Sequence, residues 1–514
     1  MNQETVFPAG VGATFSLGGS LFSAEVSVID WQSVARELRQ QGARLLGIWG
    51  ESLGDRAFQI HALFLQKSAC LWCRLRLPEN AEEFPSLSGI FPTASRQERA
   101  ISDLIGLHPQ GNDDGRPWLR HAAWPDSFYP LRRGPIPQAD LGIQGDADYA
   151  FATLSGEDVH EIPVGPVHAG TIEPGHFRFS CLGEKVLRLE ERLGYTHKGV
   201  ERLFHGLDPV SGLTLAGRVS GDSTVAYAWA YTMALENIAG ITLPERITAL
   251  RGLCLERERI ANHLGDLGAM GNDAGLAFAL TQMMALKEEL LQENEQIFGH
   301  RYLMDTIRLG GVAFDLSPAD CERLRASGAR WQQRLRSLEL LLREHAGLRD
   351  RLVGTGPITP DRAAHWGMGG LAGRASGQAW DLRVHLTPAP YDRFPMTIAL
   401  ASEGDVAARW AVRFAETFTS LRWQDDLLAA LPEGRHRTSC RLPTFGQGLG
   451  MVEGWRGEVF IAVRLEAGKI VRCHPHDPSW SLWPVLEEAV LQDIIADFPL
   501  INKSFNLSYS GHDL

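Results

Sequence analysis

This chain has no run of roughly 18 consecutive apolar residues, the length that marks a membrane-spanning helix. Its most apolar stretch, Val225–Ile241, carries Glu236. Met1–Ser20 lacks the basic start and apolar block of a secretory signal. Both absences point to a cytoplasmic protein, held at a membrane, if it works at one, by other subunits. Basic charge is short as well: 50 Lys and Arg stand against 62 Asp and Glu, a net charge of −12 with no long run of one sign. Nothing here forms a nucleic-acid footprint, so nucleic acid is not expected as a partner. Cysteine is scarce and scattered. The seven, at 70, 73, 181, 254, 321, 440 and 473, are odd in number and dispersed, which argues for reduced thiols over a disulfide framework. Cys70-Leu-Trp-Cys73 has no second pair at zinc spacing. It lies in Ala69–Leu77, whose later part alternates like a strand, and the reading is a structural strand.

What is present is length and core. A chain of 514 residues, 44% hydrophobic and 22% charged, is globular and too long for one ordinary domain. Its centre is Arg218–Asn237, RVSGDSTVAYAWAYTMALEN. Ser220, Asp222, Ser223 and Thr224 precede an apolar run and are of the types that accept hydrogen bonds from the free N–H groups of a helix start. Val225–Ile238 is apolar on nearly all sides, as a helix in the middle of a large protein is. Ser220–Ser223 reads as a polar patch at the mouth of a buried helix, and equally as a plain cap. At the far end Ser508-Tyr-Ser-Gly511 repeats the spacing of Ser220-Gly-Asp-Ser223.

On these two motifs the chain resembles the large subunit of nickel–iron hydrogenases, in the membrane-linked group related to respiratory complex I. In that family an Arg-x-Cys-Gly-x-Cys motif opens a buried helix, and an Asp-Pro-Cys-x-x-Cys motif lies near the C-terminus. Arg218 and Gly221 match. Ser220, Ser223, Ser508 and Gly511 stand where the family has its four metal-binding cysteines, and Asn506-Leu507 where it has Asp-Pro. A neutral hydroxyl or a bare glycine supplies neither the charge nor the softness of a thiolate. The chain is therefore expected to have no metal ligands and to bind neither nickel nor iron. The C-terminal trimming that follows metal insertion in many hydrogenases is not expected either, because three residues follow Gly511.

The rest of the chain divides in three. In residues 1–133, Asp30–Gln41 places Trp31, Val34, Ala35 and Leu38 on one helical face, and Phe58–Leu65 and Cys70–Leu77 read as strands. Phe91-Pro-Thr-Ala94, Glu98-Arg99, Asp103, Gly106 and Trp124–Leu131 then resemble the 30 kDa subunit of complex I, a scaffold without a cofactor. Residues 134–161, with Gly134-Pro-Ile-Pro137, read as a linker. Residues 162–514 resemble the complex I 49 kDa subunit and its hydrogenase cousins, through Ile162–Gly170, Gly194–Leu203, Arg308–Gly311 and Val452–Glu458, the last taken to open a strand region. A hairpin is expected from Thr171–Phe179 and Lys185–Leu193. Helices are expected from Leu243 toward Gly271, over Ala277–Phe298 and over Asp320–Arg349, with Glu256 and Arg259 ion-paired one turn apart. The fold class is α+β: a small N-terminal α/β domain, then a large, mostly helical domain with peripheral β-hairpins.

The resemblance also implies roles. Tyr231 falls at the tyrosine that donates to a quinone headgroup. Asp273 matches the aspartate that orients a quinone-facing histidine, here replaced by Ile172; His168 matches the first histidine of that loop. Glu173 matches the glutamate that passes protons in hydrogenases, and Arg218 the arginine that faces a neighbouring subunit's terminal iron–sulfur cluster. Ser220, Ser223, Arg456 and Ser508 complete an acceptor pocket between the Ser220–Tyr231 helix start, the Val167–Glu173 loop and the Ser508–Gly511 turn. The plain readings stay open beside these: a core tyrosine, a loop glutamate, an arginine paired with a carboxylate. No cysteine set here can hold a cluster, so the iron–sulfur cluster belongs to a partner of the complex I or hydrogenase small-subunit type. Membrane subunits of an ion-translocating complex are further partners, and a quinone is the acceptor implied. The function implied is that of an oxidoreductase subunit of the NADH dehydrogenase and hydrogenase type. A scaffold without redox chemistry and a working nickel–iron hydrogenase are the rivals.

Overall fold

A computed structural model describes residues 7–8, 10–12, 15–18, 20–54, 56–121, 124–125, 128–132, 149–168 and 172–514. The first sheet comprises β1 (Phe15–Gly18), β2 (Leu21–Val26), β3 (Arg44–Ser52), β4 (Phe58–Leu65) and β5 (Cys70–Arg76), in the order β1-β2-β5-β4-β3. Only β2 and β5 run parallel. α1 (Trp31–Gln40) and α2 (Ala94–Ile105) cover one face, and the short parallel pair β6 (Glu83–Pro85) and β7 (His108–Gln110) flanks α2. α1 buries Trp31, Val34, Ala35 and Leu38, the four apolar positions of its sequence pattern. β3 and β4 are buried along their whole length, as strands covered on both faces are. Cys70 and Cys73 lie in β5, and burial pushes the Cys73 thiol up to about 12, so neither is poised for chemistry.

Gly134-Pro-Ile-Pro137 and the rest of the expected linker to residue 148 lie outside the described residues. Its last residues belong to β8 (Val159–Val164), which adds a third strand to the expected hairpin of β9 (His176–Leu182) and β10 (Lys185–Arg192). Then come α3 (Val200–Phe204), α4 (Pro209–Ala216), α5 (Thr224–Ala239), α6 (Glu245–Asp273) and α7 (Ala277–Phe298). The two-residue strands β11 (Ile307–Arg308) and β12 (Gly311–Val312) form the Arg308–Gly311 turn. The helix expected over Asp320–Arg349 ends earlier: α8 spans Pro318–Glu344, and His345 caps a new helix, α9 (Ala346–Leu352), by accepting the Leu348 N–H at 3.0 Å. α10 (Pro360–Trp366), α11 (Gly370–Ala375), α12 (Leu382–His385) and α13 (Val406–Ala429) follow. Val452–Glu458 does not open a strand region but turns between two strands, β13 (Gly446–Glu453) and β14 (Glu458–Glu466), with β15 (Lys469–His476) completing the sheet. α14 (Ser479–Ala489), α15 (Phe498–Phe505) and α16 (Tyr509–Asp513) end the chain.

Two close approaches set the frame of the site. α5 lies directly on β13, because Gly448 and Gly450 have no side chain there; a β-carbon at Gly450 would come within 2.0 Å of the Ala230 carbonyl oxygen. On its other face the β13–β14 sheet meets the N-terminal sheet, where Leu449, Met451 and Phe460 pack with Leu46, Trp49 and Leu63. α6 and α7 interlock along Gly268 and Gly271, opposite Met283 and Ala279.

Between α6, α11 and α13 the core is ionic. Glu256 pairs with Arg259 at 3.1 Å, as one helical turn allows, and also takes Arg383 at 3.0 Å, Tyr391 at 2.8 Å and Ser420. Arg374, wholly buried, donates to Glu416 and Glu453 at 2.7 Å each, and His263 meets Glu416 at 2.8 Å. Removing one member of such a set leaves a buried charge uncompensated, which costs about 3–5 kcal/mol. Arg374→Met should therefore lower unfolding stability by about that amount, measured by urea titration of the purified chain; an unchanged midpoint would mean the network adds nothing.

Candidate functional site

The two serine tetrapeptides meet. Ser220 is extended, Gly221–Ser223 forms a single tight turn, and α5 begins at Thr224. The Ser220 and Ser508 hydroxyls lie 2.9 Å apart, and Ser508 caps α16 by accepting the Gly511 N–H at 2.8 Å. Asp222 is the focus of the cluster. Its carboxylate accepts Ser220 at 2.8 Å, Ser223 at 3.1 Å and both Nη atoms of Arg456, which reaches in from the β13–β14 turn. The guanidinium stacks on Trp455, 3.9 Å from the ring centre. The Asp222 carbonyl accepts Trp455 Nε1 at 3.0 Å and Asn262 Nδ2 at 2.8 Å. Burial works against the carboxylate, but Arg456 and the two hydroxyls hold it down at about 2.

The serines do not cap α5 as their residue types suggest. Its free N–H groups from Val225 and Ala226 go instead to Glu258 on α6, at 2.7 and 3.2 Å. Burial outweighs those two bonds and raises the Glu258 carboxyl to about 8, so it holds its proton at neutral pH. Beside Asp222 and Glu258 lies a cavity of about 300 Å³, lined further by Ala261, Asn262, Lys287, Leu291 and Met304 among others.

A nickel–iron centre does not fit these residues. Three of the four positions carry hydroxyls already engaged with one another or with Asp222, and the fourth is Gly511. There a β-carbon would come within 2.5 Å of Asp477 Oδ2 and 2.9 Å of Ser508 Oγ. The Arg456 cation occupies the same cluster and opposes a second cation. Among the described residues no group of three His, Cys, Asp or Glu is arranged to hold a metal.

The other sequence candidates separate. Glu173 joins the cluster: its carboxylate lies within reach of the Ser510 N–H, near Asp222 and Asp513, and burial raises it above the usual range. Residues 169–171 of its loop lie outside the described residues. Tyr231 does not reach the cavity. It is buried two turns along α5, its hydroxyl donates to the Pro209 carbonyl at 2.6 Å, and its ring stacks on Phe204. Tyr227, one turn nearer, holds Asp477 at 2.7 Å instead. Asp273 is exposed at the end of α6, roughly 16 Å along the helix from Asn262, with Lys503 the charge acting on it. His168 stays within its own loop, where its ring bonds the Gly175 carbonyl at 2.8 Å. Arg218 pairs with Asp305 at 2.6 Å on the surface, tying the Ser220 segment to the loop that carries Leu303 and Met304. Residue types alone pointed to none of Glu258, Lys287, Tyr227 or Asp477.

Two families match in sequence. The one described as the 30 kDa subunit of the respiratory-chain NADH dehydrogenase matches residues 24–137, and the one described as its 49 kDa subunit matches residues 273–445. Formate hydrogenlyase subunit 5 of Escherichia coli (strain K12) is 30% identical over 474 residues, 88% of this chain and 81% of its own. Hydrogenase-4 component G of the same organism is 31% identical over 467 residues, 88% and 80%. The carbon monoxide-induced hydrogenase of Rhodospirillum rubrum is 28% identical over 350 residues, 68% and 97%. In structure, a chain of the membrane-bound sulfane sulfur reductase, an archaeal respiratory membrane complex, superposes with a TM-score of 0.65 at 25% identity, over 70% of this chain and 99% of that one.

The low value at Asp222 has a stability consequence. A carboxylate depressed by folding contributes stability above its unfolded value, and the contribution is lost as pH falls from about 4 toward 2. The Asp222 side chain is 36% exposed, so solvent screens part of this. Asp222→Asn should destabilise the chain by roughly 1 kcal/mol at neutral pH and by less at pH 3, read from denaturant unfolding at both pH values. An equal loss at the two would deny the ion pair its role.

Proposed function

Because this chain belongs to the family of fused complex I 30 kDa/49 kDa-type subunits that includes formate hydrogenlyase subunit 5 and hydrogenase-4 component G, we propose that it forms an electron-acceptor pocket without a nickel–iron centre, beside an iron–sulfur cluster held by a partner. It is a subunit of a complex I-like or group 4 hydrogenase-related assembly. The observation that carries the reading is the cavity of about 300 Å³ opening on Asp222 and Glu258. That volume suits the headgroup of a small acceptor of the quinone class.

The chemistry follows from the two carboxyls. Asp222, fixed by Arg456, stays ionised and anchors the wall. Glu258 keeps its proton at neutral pH and can donate it to a reduced acceptor. Leu291 and Met304 give the ring an apolar side. Electrons arrive from the partner's cluster across the Arg218–Asp305 rim, which borders the cavity loop. The chain sits on the cytoplasmic face, held by partner membrane subunits; among the described residues no helix is long and apolar enough to cross a membrane.

The native complex, purified, decides this. Elemental analysis is expected to find no nickel, and a soluble quinone is expected to be reduced. Glu258→Gln should lower that turnover by roughly a hundredfold, while Tyr231→Phe leaves it unchanged. Near-stoichiometric nickel would restore a hydrogenase, and full turnover in Glu258→Gln would leave a scaffold that transmits motion to the membrane subunits.

A further inference from the structure

Part of the contact between α7 and α6 is a row of residues four apart. Ala279 meets Gly271 and Met283 meets Gly268, and the row continues through Lys287 to Leu291. A lysine at the third position of an apolar contact row departs from the pattern. Gly265 makes room for it: a β-carbon there would come within 2.8 Å of Lys287 Nζ. The side chain is half-buried, and among the described residues it has neither a hydrogen bond nor an ion pair. Burial lowers its affinity for a proton, while Asp266 and Asp222 raise it.

The charges around the cavity otherwise cancel. Asp222 is paired with Arg456, and Asp266 with Arg413 at 3.0 Å. Arg301 on the cavity wall is paired with Glu288 at 2.5 Å. Glu258 is protonated at neutral pH. Lys503, a further cation nearby, is not among the residues lining the cavity; it lies near Asp273 and bonds Asn506 Oδ1 at 3.2 Å. Among the described residues, the unpaired charge lining the cavity is therefore the ammonium of Lys287. An unpaired cation in a cavity with apolar walls suits a ligand with an apolar body and an electron-rich oxygen.

We propose that Lys287 binds the acceptor directly, its ammonium donating to a carbonyl oxygen of a conjugated diketone of the quinone class. Lys287 is thus the specificity residue of the pocket, and Glu258 remains the proton source. This rests on the acceptor-pocket reading above.

The test uses the assembled complex, with menadione as the probe, and follows both direct binding and steady-state reduction. Lys287→Met should weaken menadione binding by roughly tenfold to a hundredfold, the worth of a hydrogen bond to a charged group. It should raise KM by a similar factor, with kcat changed less than about threefold. Lys287→Arg, which keeps the cation, should retain most of the binding. If Lys287→Met fails to assemble, Lys287→Gln against Lys287→Arg decides, since only the latter keeps the charge. Equal binding by the wild type and either neutral variant overturns the role of Lys287 and leaves the acceptor pocket standing. No menadione binding by the wild type overturns the pocket itself, and the role of Lys287 with it.

Discussion

The Arg456–Asp222 contact holds the site together. It joins a turn between two strands to the tight turn just before the central helix, 234 positions apart in sequence. Ser220, Ser223 and, through Ser220, Ser508 are all oriented by that carboxylate. Arg456 is in turn fixed by stacking on Trp455 and by donating Nε to the Asn506 carbonyl just ahead of the second serine motif. One guanidinium thus contacts the first tetrapeptide and the backbone two residues ahead of the second. In a wet surface such a pair is worth little, but Arg456 keeps only 5% of its surface, so its charge has no alternative partner in water.

The same principle runs through the larger domain. Wholly buried Arg251, Arg257, Arg259, Arg374, Arg409 and Arg413 each reach a carboxylate or a set of polar oxygens. Arg44 extends the pattern to the N-terminal sheet by pairing with Glu458 at the base of the turn that carries Arg456. Geometry at the site is therefore specified by directional bonds rather than by apolar packing alone. That explains how a cavity can persist beside a core of Leu and Ala: the walls are held from behind. Burial, with Asp381 beside it, raises the Glu453 carboxyl to about 7 against the pull of Arg374.

Much of this was legible in the sequence, and the limits have physical causes. Local periodicity marked α1 and the bounds of α7, because a helix pattern needs only neighbours within two turns. Spacing and family resemblance brought Ser220 and Ser508 together. Long-range partners left no such trace: Glu258 caps α5 from 33 positions away, and Arg456 arrives from the β13–β14 turn, 234 positions away. Tyr231 was matched by residue type, yet eight residues beyond Ser223 places it roughly 12 Å up the helix, against Pro209 instead of the cavity. Lys287 did carry a signal. Reading α7 at intervals of four from Ala279 exposes a lysine among apolar contacts, and that row, more than the count of charges, marks the cavity side.

Three hydroxyls and a glycine at the positions where the resembled family has cysteines therefore do not make a vacant copy of a metal centre. Thiolates are anions and draw a cation to balance them; serines and a glycine do not. With no such demand, the central carboxylate of the cluster, Asp222, is balanced by the protein's own guanidinium. Charge that is not balanced lies instead across the cavity on α7. On the proposed reading, the chemistry belongs not to the junction of the two motifs but to the cavity that Glu258 and Lys287 line between α6 and α7.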